Sequence, residues 1–347
     1  MEIREIDLTN QAELQEWQNF LTGLGIDNFT EAEIKPIQKT LGIFENDKLV
    51  ATGSYTRNVL KYLGVCHKSS QPGQLFNRIV SELMNRLAQN NIFHVMVFTK
   101  PEYIASFEQV GFHLIVKNEY SAFLETGDQS IQQYVNHISK FIGGQKIGAI
   151  VMNANPFTNG HRYLVEKAAK ECDGLYVFVV ATDMSLFSPL ERFEMVREGI
   201  RDLPNVQIFS GKDYLVSYAT FPAYFLKHDD DKVAYQTQID ALIFKDWIAK
   251  AGDITDRYVG TEPKSVITAK YNETLKAVLE PEINVHVVPR LKEDGEVVSA
   301  RTIRQLIQSG DLATIKTMVP KMTYRFIADN LTELQNRIKE GMSISGN

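Results

Sequence analysis

The chain has 347 residues, 44% of them hydrophobic and 23% charged, with a formal net charge of -6. Such a length predicts two domains, each large enough to bury a core, and the acidic balance argues against a broad nucleic-acid surface while allowing a local basic pocket for a phosphate ligand. No apolar run is long enough to cross a bilayer, and the start MEIREIDLTNQAEL lacks the apolar segment of a secretory signal, so a cytoplasmic protein without membrane contact is expected.

Residues 1–126 read as strand, helix, several strands, helix, strand, helix, strand, an α+β pattern. LGIFENDKLVATGSY is a hairpin turning at Asn46 and Asp47, and VLKYLGV is a further strand. In QLFNRIVSELMNRLAQNN, Phe76, Ile79, Val80, Leu83 and Leu87 recur at helical spacing and predict one buried stripe. The strand IFHVMVF follows, then a short helix ending at Gly111, then FHLIV. A polar helix, SIQQYVNHISKFI, and a turn at Gly143–Lys146 make residues 129–146 a linker between a domain over 1–128 and one over 147–347. From Ile147 strands alternate with helices: IGAIVM, HRYLVEKAAKEC, LYVFVVA, PLERFEMVREGI, VQIFSG, with DRYVG and INVHVVP as two later strands. Continuously apolar strands between amphipathic helices predict a parallel α/β sheet covered on both faces. Cys66 and Cys172 are too far apart for a disulfide framework or a zinc knuckle and read as buried, reduced thiols. HDDDK, residues 228–232, reads as an exposed acidic loop rather than a metal cluster.

In open α/β sheets ligands bind beyond the carboxyl ends of the strands, and Asn153–Gly160 follows the first strand of the second domain. Leu164, Val165, Ala168, Ala169 and Cys172 give the next helix a buried face. Its start looks electrostatically misplaced, because His161 and Arg162 stand where the macrodipole and free N–H groups favour negative charge. A bound anion would resolve the conflict. Gly160 would let that anion approach the backbone, and Pro156 stiffens the loop. Later, GEVVSARTIRQLIQSGDL sets Ser299 as the N-cap of a helix with Ile303, Leu306 and Ile307 on one face, and again places cations, Arg301 and Arg304, in the first turns. Two such helix starts predict a triphosphate site. Gly260, Thr261 and Glu262 follow a further strand and either line the cleft or form a Thr-capped turn with Pro263 opening a helix. Neither GxxxxGK[ST] nor GxGxxG is present.

NPFTNGH resembles the HxGH signature of the nucleotidyltransferase superfamily, with Thr158 in place of the first histidine, and the start at Ser299 resembles the second, Ser-rich signature. With an acetyltransferase-like domain in front, and with MNANPFTNGHRYL, ATFPAYFLK, GTEP, TAKYN and VSARTIRQL behind it, nearly the whole chain is similar to the citrate lyase ligase family. The resemblance implies a Rossmann-like doubly wound parallel sheet preceded by a GNAT-like α+β domain. It implies a ligase that uses ATP and Mg²⁺ to activate acetate as acetyl-AMP, releasing pyrophosphate. The acetyl group then passes to the prosthetic-group thiol of the citrate lyase acyl carrier subunit, and AMP leaves. On this resemblance His161, Thr158 and Arg304 are catalytic, His161 donating to the phosphates while Ser299 and Arg304 reach the β- and γ-phosphates. Asn153, Asn155, Pro156, Phe157, Gly160, Gly260, Thr261, Glu262, Ser299 and Arg301 would complete the nucleotide site.

Two stretches depart from the family pattern. The turn SSQPGQLF has Gln71 where arginine is usual, Pro72 without an N–H, and Gln74 and Phe76 in place of small residues, leaving only Gly73 for close approach. The first domain is therefore expected to bind acetyl-CoA poorly and to serve in docking. In the second domain TDMSLFSP carries no basic residue, so Arg192 is the candidate for a further phosphate contact. Metal ligands are not evident, and Lys264, Gln238 and Arg257 are the candidates for acetate recognition. The alternatives are an adenylyltransferase acting on a phosphomonoester such as phosphopantetheine, or a nucleotide-binding regulatory protein without catalysis.

Overall fold

The computed structural model describes residues 1–66, 71–181, 185–215, 229–261, 266–293, 296–342 and 344. They form two compact units, and the chain changes over between Tyr134 and Val135.

The first unit is an α+β fold on a seven-stranded sheet. Its strands are β1 (Glu2–Glu5), β2 (Lys39–Glu45), β3 (Lys48–Thr56), β4 (Val59–Val65), β5 (Val95–Thr99), β6 (His113–Lys117) and β7 (Ala122–Thr126), in the order β1-β2-β3-β4-β5-β7-β6. Asn46 and Asp47 turn the predicted hairpin with φ of 50° and 58°, the left-handed pair that suits a twisted two-residue loop. All neighbours are antiparallel except β4 and β5, which pair only at Val59↔Met96 and Leu60↔Val97. The helix α1 (Gln11–Thr22) is capped by Asn10, and α2 (Pro72–Gln89) buries Leu75, Ile79, Val80, Leu83 and Leu87. Phe76 stands beside that stripe and meets the edge of Phe107 at 5.0 Å.

Three details differ from the sequence reading. After Gly111 there are two strands, and β7, not β6, pairs with β5, because the Asn118 carboxamide takes the N–H groups of Tyr120 and Ser121 and turns the chain back. The polar helix is only Ile131–Asn136, ending at the weak helix formers Asn136 and His137. Asp229–Lys232 open a helix, α5 (Asp229–Ile243), rather than a loop. That helix clusters with the first unit as far as Ile239.

The second unit holds a five-stranded parallel sheet of β8 (Ile147–Met152), β9 (Gly174–Val179), β10 (Val206–Ser210), β11 (Asp256–Gly260) and β12 (Asn284–Val288), in the order β10-β9-β8-β11-β12. The chain winds outward from β8 to β10, then restarts at β11 on the other side. The switch point therefore lies between β8 and β11. Their ladder has two rungs, Gly148↔Asp256 and Ala149↔Arg257, after which the strands part towards their carboxyl ends. Around the sheet lie α3 (Asn159–Glu171), α4 (Pro189–Gly199), α6 (Val266–Leu279) and α7 (Ala300–Ser309), followed by three short helices to Lys339. Val165, Ala168, Ile303, Ile307 and Ile327 join the strand residues Ile150, Val177 and Val179 in one core. Cys172 is buried and its thiol meets the Tyr258 hydroxyl at 3.4 Å, whereas Cys66, at the end of β4, is half-buried rather than buried. Among the described residues no helix is long and apolar enough to cross a membrane.

Candidate active site

The loop Asn153–Thr158 leaves the carboxyl end of β8 beside the switch point and enters α3 through a capping box. The Thr158 hydroxyl accepts the His161 N–H at 3.4 Å, and the Thr158 N–H donates to the His161 Nδ1 at 3.1 Å. In most capping boxes glutamate or glutamine takes that second role. An imidazole in this position has a chemical consequence: Nδ1 must offer its lone pair, so the hydrogen-bond pattern assigns the neutral ring's proton to Nε2. Burial of the ring, with Arg290 and Arg304 nearby, pulls the His161 pKa down to about 4. His161 at neutral pH is thus an uncharged donor.

The electrostatic conflict read from the sequence at this helix start is therefore absent. Arg162 also turns away, pairing with Glu166 at 2.7 Å and Asp202 at 2.7 Å and donating to the Gly199 carbonyl. At Gly160 a side chain would press on the Val298 carbonyl at 3.3 Å, so the glycine admits the segment leading to α7.

The second signature reaches the first through Arg304. Its guanidinium is 1% exposed, donates from Nη1 to the Asn155 carbonyl and from Nε to the Ile344 carbonyl at 3.0 Å. Ser299 occupies the predicted N-cap, but its side chain makes no capping hydrogen bond. Arg301 is exposed on the outer face of α7. The pair of cations read together in the sequence is thus split, one inside and one outside.

Arg290 is the cation that sequence reasoning missed. It stands two residues past β12, its Nε donates to the Thr261 carbonyl at 2.7 Å, and its backbone N–H donates to the Thr261 hydroxyl at 3.2 Å. The signal was available: a basic residue just beyond the carboxyl end of a parallel strand lies on the ligand-binding edge. Thr261 joins β12 through its N–H to the Val288 carbonyl at 2.9 Å, and a side chain on Gly260 would meet open space. Gly260 and Thr261 therefore stand at the carboxyl end of β11, while Glu262 and Lys264 lie outside the described residues.

Other predicted residues sit beneath the site. Asn155 is 4% exposed and its carboxamide oxygen accepts the Phe187 N–H at 3.3 Å; the adjoining Pro156 is buried. Phe157 is in the core, stacked 5.9 Å from the His161 ring. Arg192, the candidate phosphate contact, is a structural clamp instead. Its guanidinium is 0% exposed and donates to the carbonyls of Phe187 at 3.2 Å, Asn153 at 2.8 Å and Val180 at 2.7 Å, and also to the Asn153 side chain. Gln238 belongs with the first unit, where it accepts from Asn118 at 3.0 Å. The site thus gathers His161 held by Thr158, Arg304 tied to Asn155, and Arg290 tied to Thr261. A neutral donor beside two cations suits a polyanion.

The family profile described as "Citrate lyase ligase C-terminal domain" matches residues 147–327. The chain is 35% identical over 305 residues to the "[Citrate [pro-3S]-lyase] ligase" of Escherichia coli strain K12, covering 86% of each. It is 37% identical to the protein of that description from Haemophilus influenzae over 295 residues, covering 83% of this chain and 88% of that one. Among solved structures it is similar to Thermotoga maritima TmcAL bound with alpha-thio ATP, at 14% identity over 57% of each chain with a TM-score of 0.36.

Proposed function

The chain belongs to the citrate lyase ligase family, and on that premise we propose that it uses ATP to acetylate the prosthetic-group thiol of the citrate lyase acyl carrier subunit. A carboxylate oxygen of acetate attacks the α-phosphorus of ATP, the bond to the β-phosphate oxygen breaks, and pyrophosphate leaves. The carrier thiol then attacks the acetyl carbon of acetyl-AMP, its proton passes to solvent, and AMP leaves with the electron pair of the broken C–O bond. No protein nucleophile is required, so the residues position the reactants and stabilise charge.

The observation that carries this reading is the state of His161, an uncharged Nε2–H donor with Arg290 and Arg304 beside it. Charge grows on the phosphate oxygens as pyrophosphate departs, and a fixed donor aimed there costs no reorganisation. A ring that does not titrate near neutrality donates a hydrogen bond without giving up its proton, so it serves as an electrostatic donor rather than a general acid. Thr158 acts through His161, holding Nδ1, and is a positioning residue. Arg304 and Arg290 supply the cations for the phosphates.

Mg²⁺ would arrive on the triphosphate and neutralise the leaving group. Among the described residues there is no cluster of three acidic, histidine or cysteine side chains to hold it, so the phosphate oxygens and water would supply most of its ligands. A cytoplasmic location agrees with this use of ATP and of a carrier-bound thiol.

Acetate-dependent exchange of labelled pyrophosphate into ATP tests the proposal. His161→Ala should lower exchange by roughly 100- to 1,000-fold, the usual cost of one preorganised donor. Exchange that needs phosphopantetheine in place of acetate would move the protein to the adenylyltransferases, and absence of exchange with either would make it a nucleotide-binding regulator.

A further inference from the structure

Among the described residues of the second unit, Arg257 is the buried arginine that keeps unmatched donors. Arg192 and Arg304 donate to backbone carbonyls, whereas Arg257, 2% exposed, has its Nε and Nη1 sealed from solvent without a hydrogen-bond partner among the described residues. Each orphaned donor costs about 1–3 kcal/mol, more when it carries charge, so folds rarely keep one without a use.

The place of Arg257 in the sheet gives that use a direction. Arg257↔Ala149 is the last rung between β8 and β11 before the strands part, so the residue stands on β11 directly below the opening between the two strands, on the strand that ends at Gly260. Its guanidinium lies over the Phe244 ring at 4.5 Å. Phe244 opens a six-residue π-helical stretch, Phe244–Ala249, between α5 and the last turn Lys250–Gly252. Such stretches recur at functional sites, because the extra residue per turn is costly to keep. Asp240 and Tyr271 are the charged and titratable groups facing the guanidinium; Tyr271 hydrogen-bonds Arg257 away from Nε and Nη1, and its hydroxyl meets the Asp240 carboxylate at 3.1 Å. Burial raises the Asp240 carboxyl to about 6, which still leaves it mostly ionised at neutral pH, so it faces the guanidinium as a competing carboxylate.

We infer that Arg257 is the carboxylate anchor of the crevice and that its free N–H groups take the carboxylate of a monocarboxylic acid as small as acetate. The inference rests on the adenylation reading above, for which it supplies the acyl-substrate subsite. An aromatic ring under the guanidinium leaves its edge donors for an anion lying in the same plane, and complete burial favours an acid with a short apolar tail.

The test uses the full chain in pyrophosphate exchange at varied acetate and ATP. Arg257→Gln should raise the half-saturating acetate by about 10- to 100-fold, the range for a lost charge-assisted hydrogen bond, and leave that for ATP within about two-fold. Asp240→Asn removes the competing carboxylate at nearly constant shape and should lower the half-saturating acetate several-fold. An unchanged acetate response in a folded Arg257→Gln protein, or equal shifts for acetate and ATP, overturns the inference. If Arg257→Gln does not fold, an unchanged acetate response in Asp240→Asn overturns it. If the wild type exchanges no pyrophosphate with acetate, the functional reading fails, and line broadening of ¹³C-acetate decides the subsite by itself. Broadening by the wild type that Asp240→Asn alters supports the anchor, and no broadening by the wild type, or broadening that Asp240→Asn leaves unchanged, rejects it.

Discussion

The starts of α3 and α7 share a sequence pattern, a hydroxyl cap followed by basic residues, yet they do opposite work. At α3 the cap is complete, His161 closes the box as a neutral ring, and Arg162 points outward to Asp202. At α7 the cap makes no side-chain bond, Arg301 is outside, and Arg304 passes inward to the loop of the other signature. A basic residue in a first helical turn is thus not by itself an anion contact. Its position around the turn decides whether it faces the core, the cap or solvent.

The contrast breaks most severely at Arg304. Arg304→Met should remove a cation from beside His161 and leave the Asn155 carbonyl without this donor, lowering pyrophosphate exchange by roughly 100-fold or more. An exchange rate within a few-fold of wild type would remove Arg304 from the site. His161 offers a second test, through pH. Its folded pKa of about 4 lies below the ordinary 6.5, so between these values the unfolded chain binds the proton more readily. Stability from this group is complete above pH 6.5 and lost as pH falls through 4, by up to about 3 kcal/mol. Denaturant unfolding of wild type and His161→Ala between pH 4 and 7 measures it, and exchange should pass through pH 6.5 without a step from this residue. The smallest effect belongs to Arg301→Ala, exposed on α7, which should change unfolding free energy by less than about 0.5 kcal/mol and exchange by less than about three-fold. A large loss there would restore the symmetry of the two helix starts.

Much of the architecture was legible in the sequence. The apolar runs at Ile147, Leu175 and Val206 carry the parallel strands, and the turn residues at Asn46 and Asp47 carry their hairpin, because strand burial and turn conformation leave local marks. The loop that carries the candidate site, after the apolar run of β8, was legible as a loop for the same reason. Side-chain direction was not. Arg192 looked free because its carbonyl partners at Asn153 and Val180 come together only in the fold, and Arg162 looked like an anion contact because Asp202 lies 40 residues away. Nor did local pattern reveal β7, whose place beside β5 is set by a turn at Asn118 and not by its own apolarity. Arg290 lay on a legible edge but in no signature.

Gly160 has a consequence for recombination between relatives. Its missing side chain lets α3 rest on the Val298 carbonyl, and Arg304 crosses to Asn155 beside that contact. Two segments well over one hundred residues apart in the sequence are therefore a single piece of machinery. A chimera that takes one of them from a relative and leaves the other behind inherits a seam through the centre of its site, whereas a donor block spanning both carries the fit along with it.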